Sequence, residues 1–147
     1  MSIWKKDGFF ICTEKQYLDV SLIHQFLSEE SYWVPGIKLE IVKKSIENSS
    51  ICFGVYEGDP ARGNAKQIGF ARAVSDFCRF GWIMDVFILG EFGGRGLSKW
   101  LMEVITEQSD LKDAAKLMLA TNDAHGLYAQ YGFKTIKNRD LYMERKL

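Results

Sequence analysis

The segment DVFILGEFGGRGLSKWL, Asp85 to Leu101, constrains this chain more than any other. An apolar run fit for a strand stops at Gly93-Gly94-Arg95-Gly96, and an amphipathic pattern begins at once. Strand, glycine turn and helix, in that order, let backbone N–H groups converge on an anion. Glycine has no Cβ to block positive φ or close approach. The helix start adds unsatisfied N–H groups and the positive end of its dipole. Arg95 and Lys99 bring cationic groups for further phosphates. The same glycines also suit a tight turn that merely aims a helix, and a short glycine motif does not separate the two readings.

Two familiar phosphate loops do not fit. A Walker loop ends in Gly-Lys-Ser/Thr, which is absent here. The dinucleotide fingerprint requires G-x-G-x-x-G, and Gly94-Arg95-Gly96-Leu97-Ser98-Lys99 breaks it at the third glycine. The spacing therefore favours another pyrophosphate carrier.

Around this segment the periodicities give a consistent order. Leu18, Leu22, Ile23, Phe26 and Leu27 predict an amphipathic helix from Tyr17 to about Glu30. Pro35-Gly36 breaks the chain before a second helix, Leu39 to Asn48. SICFGVY (50–56) and KQIGFARAVSD (66–76) read as a hairpin across the turn-rich GDPARGNA. FGWIMDVFIL (80–89) reads as a central strand covered on both faces. Leu97, Trp100, Leu101, Val104 and Ile105 share one face of a helix from Gly96 to about Gln108. KLMLA (116–120) is a strand, Ala124 to Tyr131 a short helix, and the tail FKTIKNRDLYMERKL is expected to supply one or two final strands. This is the order of an α/β domain on a mixed sheet, and 147 residues without repeats or linkers suit a single domain, residues 1–147.

Composition removes several classes of function. The formal charge is zero, with 19 basic and 19 acidic residues and no basic stripe, which disfavours nucleic acid. No apolar run approaches a membrane span, and MSIWKKDGFFICTEKQ does not read as a signal peptide. Cys12, Cys52 and Cys78 are widely spaced and lack zinc-ligand spacing; they read as buried thiols in a reducing cytoplasm, with no metal site.

VFILGEFGGRGLSKWL and, further on, LATNDAHGLYAQYGF (119–133) together resemble the GNAT superfamily of acyl-CoA-dependent N-acyltransferases. The first resembles the family's strand and Arg/Gln-x-x-Gly-x-Gly/Ala loop, the second its A-x-x-L-Y-x-x-x-G-F segment. The resemblance covers essentially the whole chain. It implies a mixed, mainly antiparallel sheet of six to seven strands flanked by about four helices, with splayed central strands. It also implies acetyl-CoA as co-substrate, transfer to a primary amine of a small molecule or peptide, and an open question of homodimerisation. By position, the backbone of Val86, Phe87 and Ile88 would pair with the pantetheine arm, and the loop Gly93, Gly94, Arg95, Gly96, Leu97, Ser98 and Lys99 would hold the pyrophosphate. Tyr128 would protonate the departing thiolate. Gly93 replaces the usual Arg or Gln, and Ser98 the usual Gly or Ala. Thr121 stands in the cofactor-binding set where the family often has Asn, a role not transferred to Asn122.

On the acceptor side, Asp85 or Asp76 could take or orient the amine's proton, although strand-end Asp residues also serve as turn formers. The family places an acceptor pocket near Tyr32, Trp33 and Trp82, whose aromatic bodies suit a small amine with an apolar part; Trp82 equally suits core packing. His125 is a further candidate base or a helix-start neighbour, and His24 is a structural or surface residue. No cationic cluster awaits a polyanionic acceptor and no acidic cluster a polycationic one. A module that binds CoA without chemistry is the alternative, favoured by Gly93 and Thr121. A nucleotide-binding protein is a third reading.

Overall fold

A computed structural model describes residues 1–146. Its frame is one six-stranded sheet in the order β1-β2-β3-β4-β5-β6. The strands are β1 (Ile3–Lys6), β2 (Phe9–Cys12), β3 (Ile51–Glu57), β4 (Lys66–Ser75), β5 (Gly81–Ile88) and β6 (Leu117–Met118). All neighbours are antiparallel except β5 and β6, which run parallel. The sequence reading missed the β1–β2 hairpin. Its two-residue turn is Asp7-Gly8, both at positive φ (51° and 82°), as a right-twisted hairpin demands.

Four α-helices cover the two faces: α1 (Val20–Gln25), α2 (Leu39–Asn48), α3 (Leu97–Glu107) and α4 (His125–Ala129). Asp19 caps α1 by accepting the Leu22 N–H at 3.1 Å. The helix then widens into a π turn, Phe26–Glu30, which the 3.6-residue apolar pattern does not disclose. Leu97, Trp100, Leu101, Val104 and Ile105 are all buried on α3, as their spacing predicts. They join Ile11, Phe53, Val55 and Ile68 of the sheet in one cluster. On the opposite face Ile23, Leu27, Val42 and Ile46 pack with Cys52, Phe70 and Phe87. Full burial of a side chain such as Leu101 is worth about 1.5–3 kcal/mol, so this three-layer packing fixes the helices to the sheet.

Three expectations need correction. β5 is fifth of six strands, and residues at several of its positions stay partly exposed, because β6 accompanies it for only two residue pairs. The tail forms a single 3-10 turn, Arg139–Leu141, and no strand among the described residues. Cys78 is exposed in the β4–β5 turn, whereas Cys12 and Cys52 are buried.

Candidate active site

The parallel pairing of β5 with β6 joins Gly81 to Leu117 and Trp82 to Met118, then stops. Beyond Trp82 the strands diverge into a cleft. Gly69 lets β4 pass close to β5: a Cβ there would meet the Phe87 carbonyl at 2.8 Å. The Leu89 N–H donates to Ile68 O at 2.8 Å, so Leu89 and Phe87 face β4. Strand alternation turns the N–H and C=O of Ile88 and Val86 the other way, toward the cleft.

The strand runs out into a 3-10 turn, Gly90–Phe92, and then the glycine loop. Gly94 and Gly96 adopt φ of 75° and 74°, which a side chain resists, and nothing lies within 4 Å of a Cβ built on either. Gly93 is extended (φ −65°) and donates to Gly90 O instead. From Gly94 to Lys99, six consecutive backbone N–H groups have no backbone acceptor among the described residues; the next, Trp100, bonds Gly96 O. No side chain caps α3 either. Arg95 lies over the Phe92 ring, 5.2 Å from its centroid. Open backbone amides at a helix start match a pyrophosphate in sign and shape.

A cavity of about 540 Å³ fills the divergence of β5 and β6. Tyr32, Trp33, Trp82, Asp85, Val86, Thr121 and Tyr128, singled out from the sequence, all line it. The glycine loop does not. Phe87 turns its ring away into the core, stacked on Phe26.

Tyr128 is half-buried, edge-on to Phe133 at 6.1 Å. Burial pushes its phenol above the ordinary value of 10.0, and the neighbouring Asp123 carboxylate pushes the same way. It therefore holds its proton at neutral pH. Thr121 Oγ1 accepts the N–H of Ala124 at 3.1 Å and so leads the chain into α4. His125 lies in a neighbouring cavity of about 610 Å³, with Lys134 and Arg139, rather than in the cleft. His24 bonds Ile37 O through Nε2 at 2.9 Å, a structural tie.

Neither aspartate is a free base. Asp76 Oδ1 accepts the N–H groups of Cys78, Arg79 and Phe80, which holds its carboxyl below the usual range and makes it the organiser of the β4–β5 turn. Asp85 Oδ2 accepts from Arg72 Nε at 2.7 Å and Oδ1 from Trp33 Nε1 at 2.9 Å. Arg72 and Asp123 are cavity residues that sequence reading missed; the signal for Arg72 is a single charge within the apolar strand QIGFARAVS. Among the described residues no cluster of His, Cys, Asp or Glu could hold a metal ion, and no helix is long and apolar enough to cross a membrane.

Comparison with known proteins agrees with this geometry. Residues 48–135 match the acetyltransferase (GNAT) domain model. A crystal structure of a GNAT-family acetyltransferase from Xanthomonas campestris pv. campestris superposes with a TM-score of 0.87 at 38% identity, covering 97% of this chain and 96% of that one. A Gibberella zeae protein named as an acetyltransferase is 26% identical over 151 residues, 93% of this chain and 85% of that protein. A Clostridium acetobutylicum acetyltransferase crystallised with acetyl-CoA shares the fold (TM-score 0.62, 15% identity, 94% and 96% covered). With a family model matched across the cleft and the glycine loop, and a relative 38% identical over nearly its full length, this chain belongs to the GNAT family of acetyltransferases.

Proposed function

We propose that the chain carries the acetyl group of acetyl-CoA directly to a primary amine of a small molecule or peptide. The observation that carries this reading is the run of six unpaired amides, Gly94–Lys99, directly downstream of a strand edge left open by β6. The amides would hold the pyrophosphate, with Arg95 and Lys99 beside it. The outward-facing backbone groups of Val86 and Ile88 would pair with the pantetheine amides. Acetyl-CoA supplies an acyl group activated as a thioester. The chain's own residues supply position: an amine held in the cleft attacks at high effective concentration, and no covalent enzyme intermediate is required. As the N–C bond forms and the C–S bond breaks, the Tyr128 hydroxyl gives its proton to the departing thiolate.

Both oxygens of Asp85 are engaged, by Arg72 and Trp33, and Thr121 Oγ1 holds the turn into α4. Proton removal from the amine then falls to water or to Asp123, the second carboxylate lining the cavity. The aromatic surfaces of Tyr32, Trp33 and Trp82 form the acceptor wall. Three unpaired cysteines suit a reducing, cytoplasmic setting.

Calorimetry with acetyl-CoA, followed by mass spectrometry of cell extract incubated with enzyme and acetyl-CoA, tests the proposal. A bound cofactor and a product heavier by one acetyl group are expected. Binding without any acetylated product would favour the second reading, a CoA-binding module without chemistry; the engagement of Asp85 by Arg72 and Trp33 is what keeps that reading alive.

A further inference from the structure

Asp85 takes φ of +56°, a conformation uncommon for a non-glycine residue and foreign to regular strand backbone. Phe70 pairs with Phe87 but Arg72 pairs with Met84, so Asp85 and Val86 together stand opposite Ala71 as a bulge. A strained position persists when its surroundings over-determine it. Here Arg72 Nε and Trp33 Nε1 each hold one carboxylate oxygen, and the Arg72 and Asp85 side chains are only 13% and 9% exposed. Arg72 reaches Ser49 Oγ at the end of α2 as well, at 3.4 Å.

Trp33 does not stand alone. Tyr32 packs edge-on against it at 5.1 Å, and the Tyr32 hydroxyl accepts the Asn122 N–H at 2.9 Å. Asn122 follows β6, and Asp85 lies in β5. One pair of adjacent aromatic residues is thus fastened to both arms of the cleft, one hydrogen bond to each.

We propose that the Tyr32–Trp33 pair, anchored through Asp85 by Arg72, is a tied bridge across the cleft that restricts the acceptor to compact amines and excludes extended polypeptide. Arg72 is a positioning residue in this scheme. It touches no reacting atom; it sets the bulge and, through Asp85, the indole. A compact amine enters beneath the bridge, whereas a polypeptide running across the cleft must break one of its two ties. The proposal rests on the acetyl-transfer reading for its substrate and on the fold alone for its bridge, and the two separate experimentally.

The test uses Arg72→Gln, Tyr32→Phe and the conservative Arg72→Lys in the full chain. Hydrogen exchange is followed over residues 31–37, and acetylation of 2-phenylethylamine is compared with that of an unblocked alanine–glycine pentapeptide. Wild type is expected to prefer 2-phenylethylamine at least about tenfold in kcat/KM, a discrimination within the range that fit alone can supply. Arg72→Gln and Tyr32→Phe are expected to speed exchange of residues 31–37 and to shrink that preference, with acetyl-CoA affinity unchanged; Arg72→Lys restores both in part. Tyr32→Phe removes one hydroxyl, so the test survives if Arg72→Gln fails to fold. Equal use of the peptide by wild type overturns the proposal. So does a preference untouched by Tyr32→Phe, or exchange of residues 31–37 as slow as in wild type. If neither amine is acetylated although acetyl-CoA binds, the transfer reading fails, and exchange of residues 31–37 alone decides the bridge.

Discussion

The rings of Phe26 and Phe87 stack face to face, centroids 3.9 Å apart and planes within 10°. Phe26 begins the π turn that ends α1, and Phe87 sits in the strand whose opposite edge faces the cleft. The stack therefore sets how α1 lies on β5. Removing it leaves a cavity beneath a strand that has little support from β6.

Phe26→Ala is expected to lower unfolding free energy by about 3 kcal/mol, at the low end for a large-to-small aromatic change because Phe26 is only partly buried. Urea denaturation measures it. Acetyl-CoA affinity should fall in parallel, since the cleft edge belongs to the same strand. Phe26→Leu should recover more than half of both losses.

The glycine loop separates backbone need from side-chain need. Gly94→Ala and Gly96→Ala put a Cβ into open space but force φ near +75° on an L residue, a cost of about 1–2 kcal/mol each. The chain can escape that cost by turning the peptide, which misaims the amides. Weaker acetyl-CoA binding by calorimetry is expected for both. Gly93→Ala is the control: its φ is ordinary, and its Cβ would meet only Gly90 O, at 3.1 Å. A small stability loss of about 1 kcal/mol from that tight backbone contact is expected there, with acetyl-CoA binding much less affected than by the other two substitutions.

Local pattern carried most of the fold, and the exceptions have physical causes. The α3 stripe and the β3–β4 hairpin were readable because burial imposes period 3.6 on a helix and turn residues punctuate strands. The first hairpin was missed although Asp7-Gly8 is a two-residue turn signal, because Ile3-Trp4-Lys5-Lys6 is too short and exposed to alternate cleanly. The tail FKTIKNRDLYMERKL reads as one or two final strands, yet strand pairing is non-local, and no sequence window reveals whether β6 offers an edge. At the site, single residues were found and their partners were not. Asp85 was noticed as a carboxylate at a strand end; that Arg72, thirteen positions earlier, would neutralise it depends on a register shifted by a bulge.

Tyr56 is fully buried, and its hydroxyl is the one buried side-chain polar atom without a hydrogen-bond partner among the described residues. It lies over Gly54, where a Cβ would collide with its ring. Leaving a hydroxyl unsatisfied costs about 1–3 kcal/mol, so Tyr56→Phe should raise stability by about 1 kcal/mol. Its pH behaviour offers a second check. Burial pushes the Tyr56 phenol above its ordinary value of 10.0, and the Cys52 thiol above 9.0. The unfolded chain ionises both groups at their ordinary values and so binds fewer protons than the folded one above pH 9. Stability must then fall as pH rises from there. Denaturation midpoints for wild type should drop on the alkaline side, and less steeply for Tyr56→Phe.

Tyr128 invites the most direct test of the proposed chemistry. Its phenol is held protonated chiefly by burial, with the Asp123 carboxylate acting in the same direction, and its ordinary value of 10.0 is thereby raised. A general acid works only while it keeps its proton, so activity that depends on Tyr128 is full at neutral pH. It declines only above pH 10, where the alkaline stability loss is already under way, so the profile is read against the folded fraction at each pH. A limb in the kcat profile near pH 7 or 8 would therefore belong to another group, such as the amine itself. Tyr128→Phe keeps the ring against Phe133 and deletes only the proton. The expected result is a fall in kcat of about 10²-fold or more, with acetyl-CoA affinity within about twofold and the melting temperature little changed. If kcat survives that substitution, water protonates the thiolate and Tyr128 is a wall of the cavity.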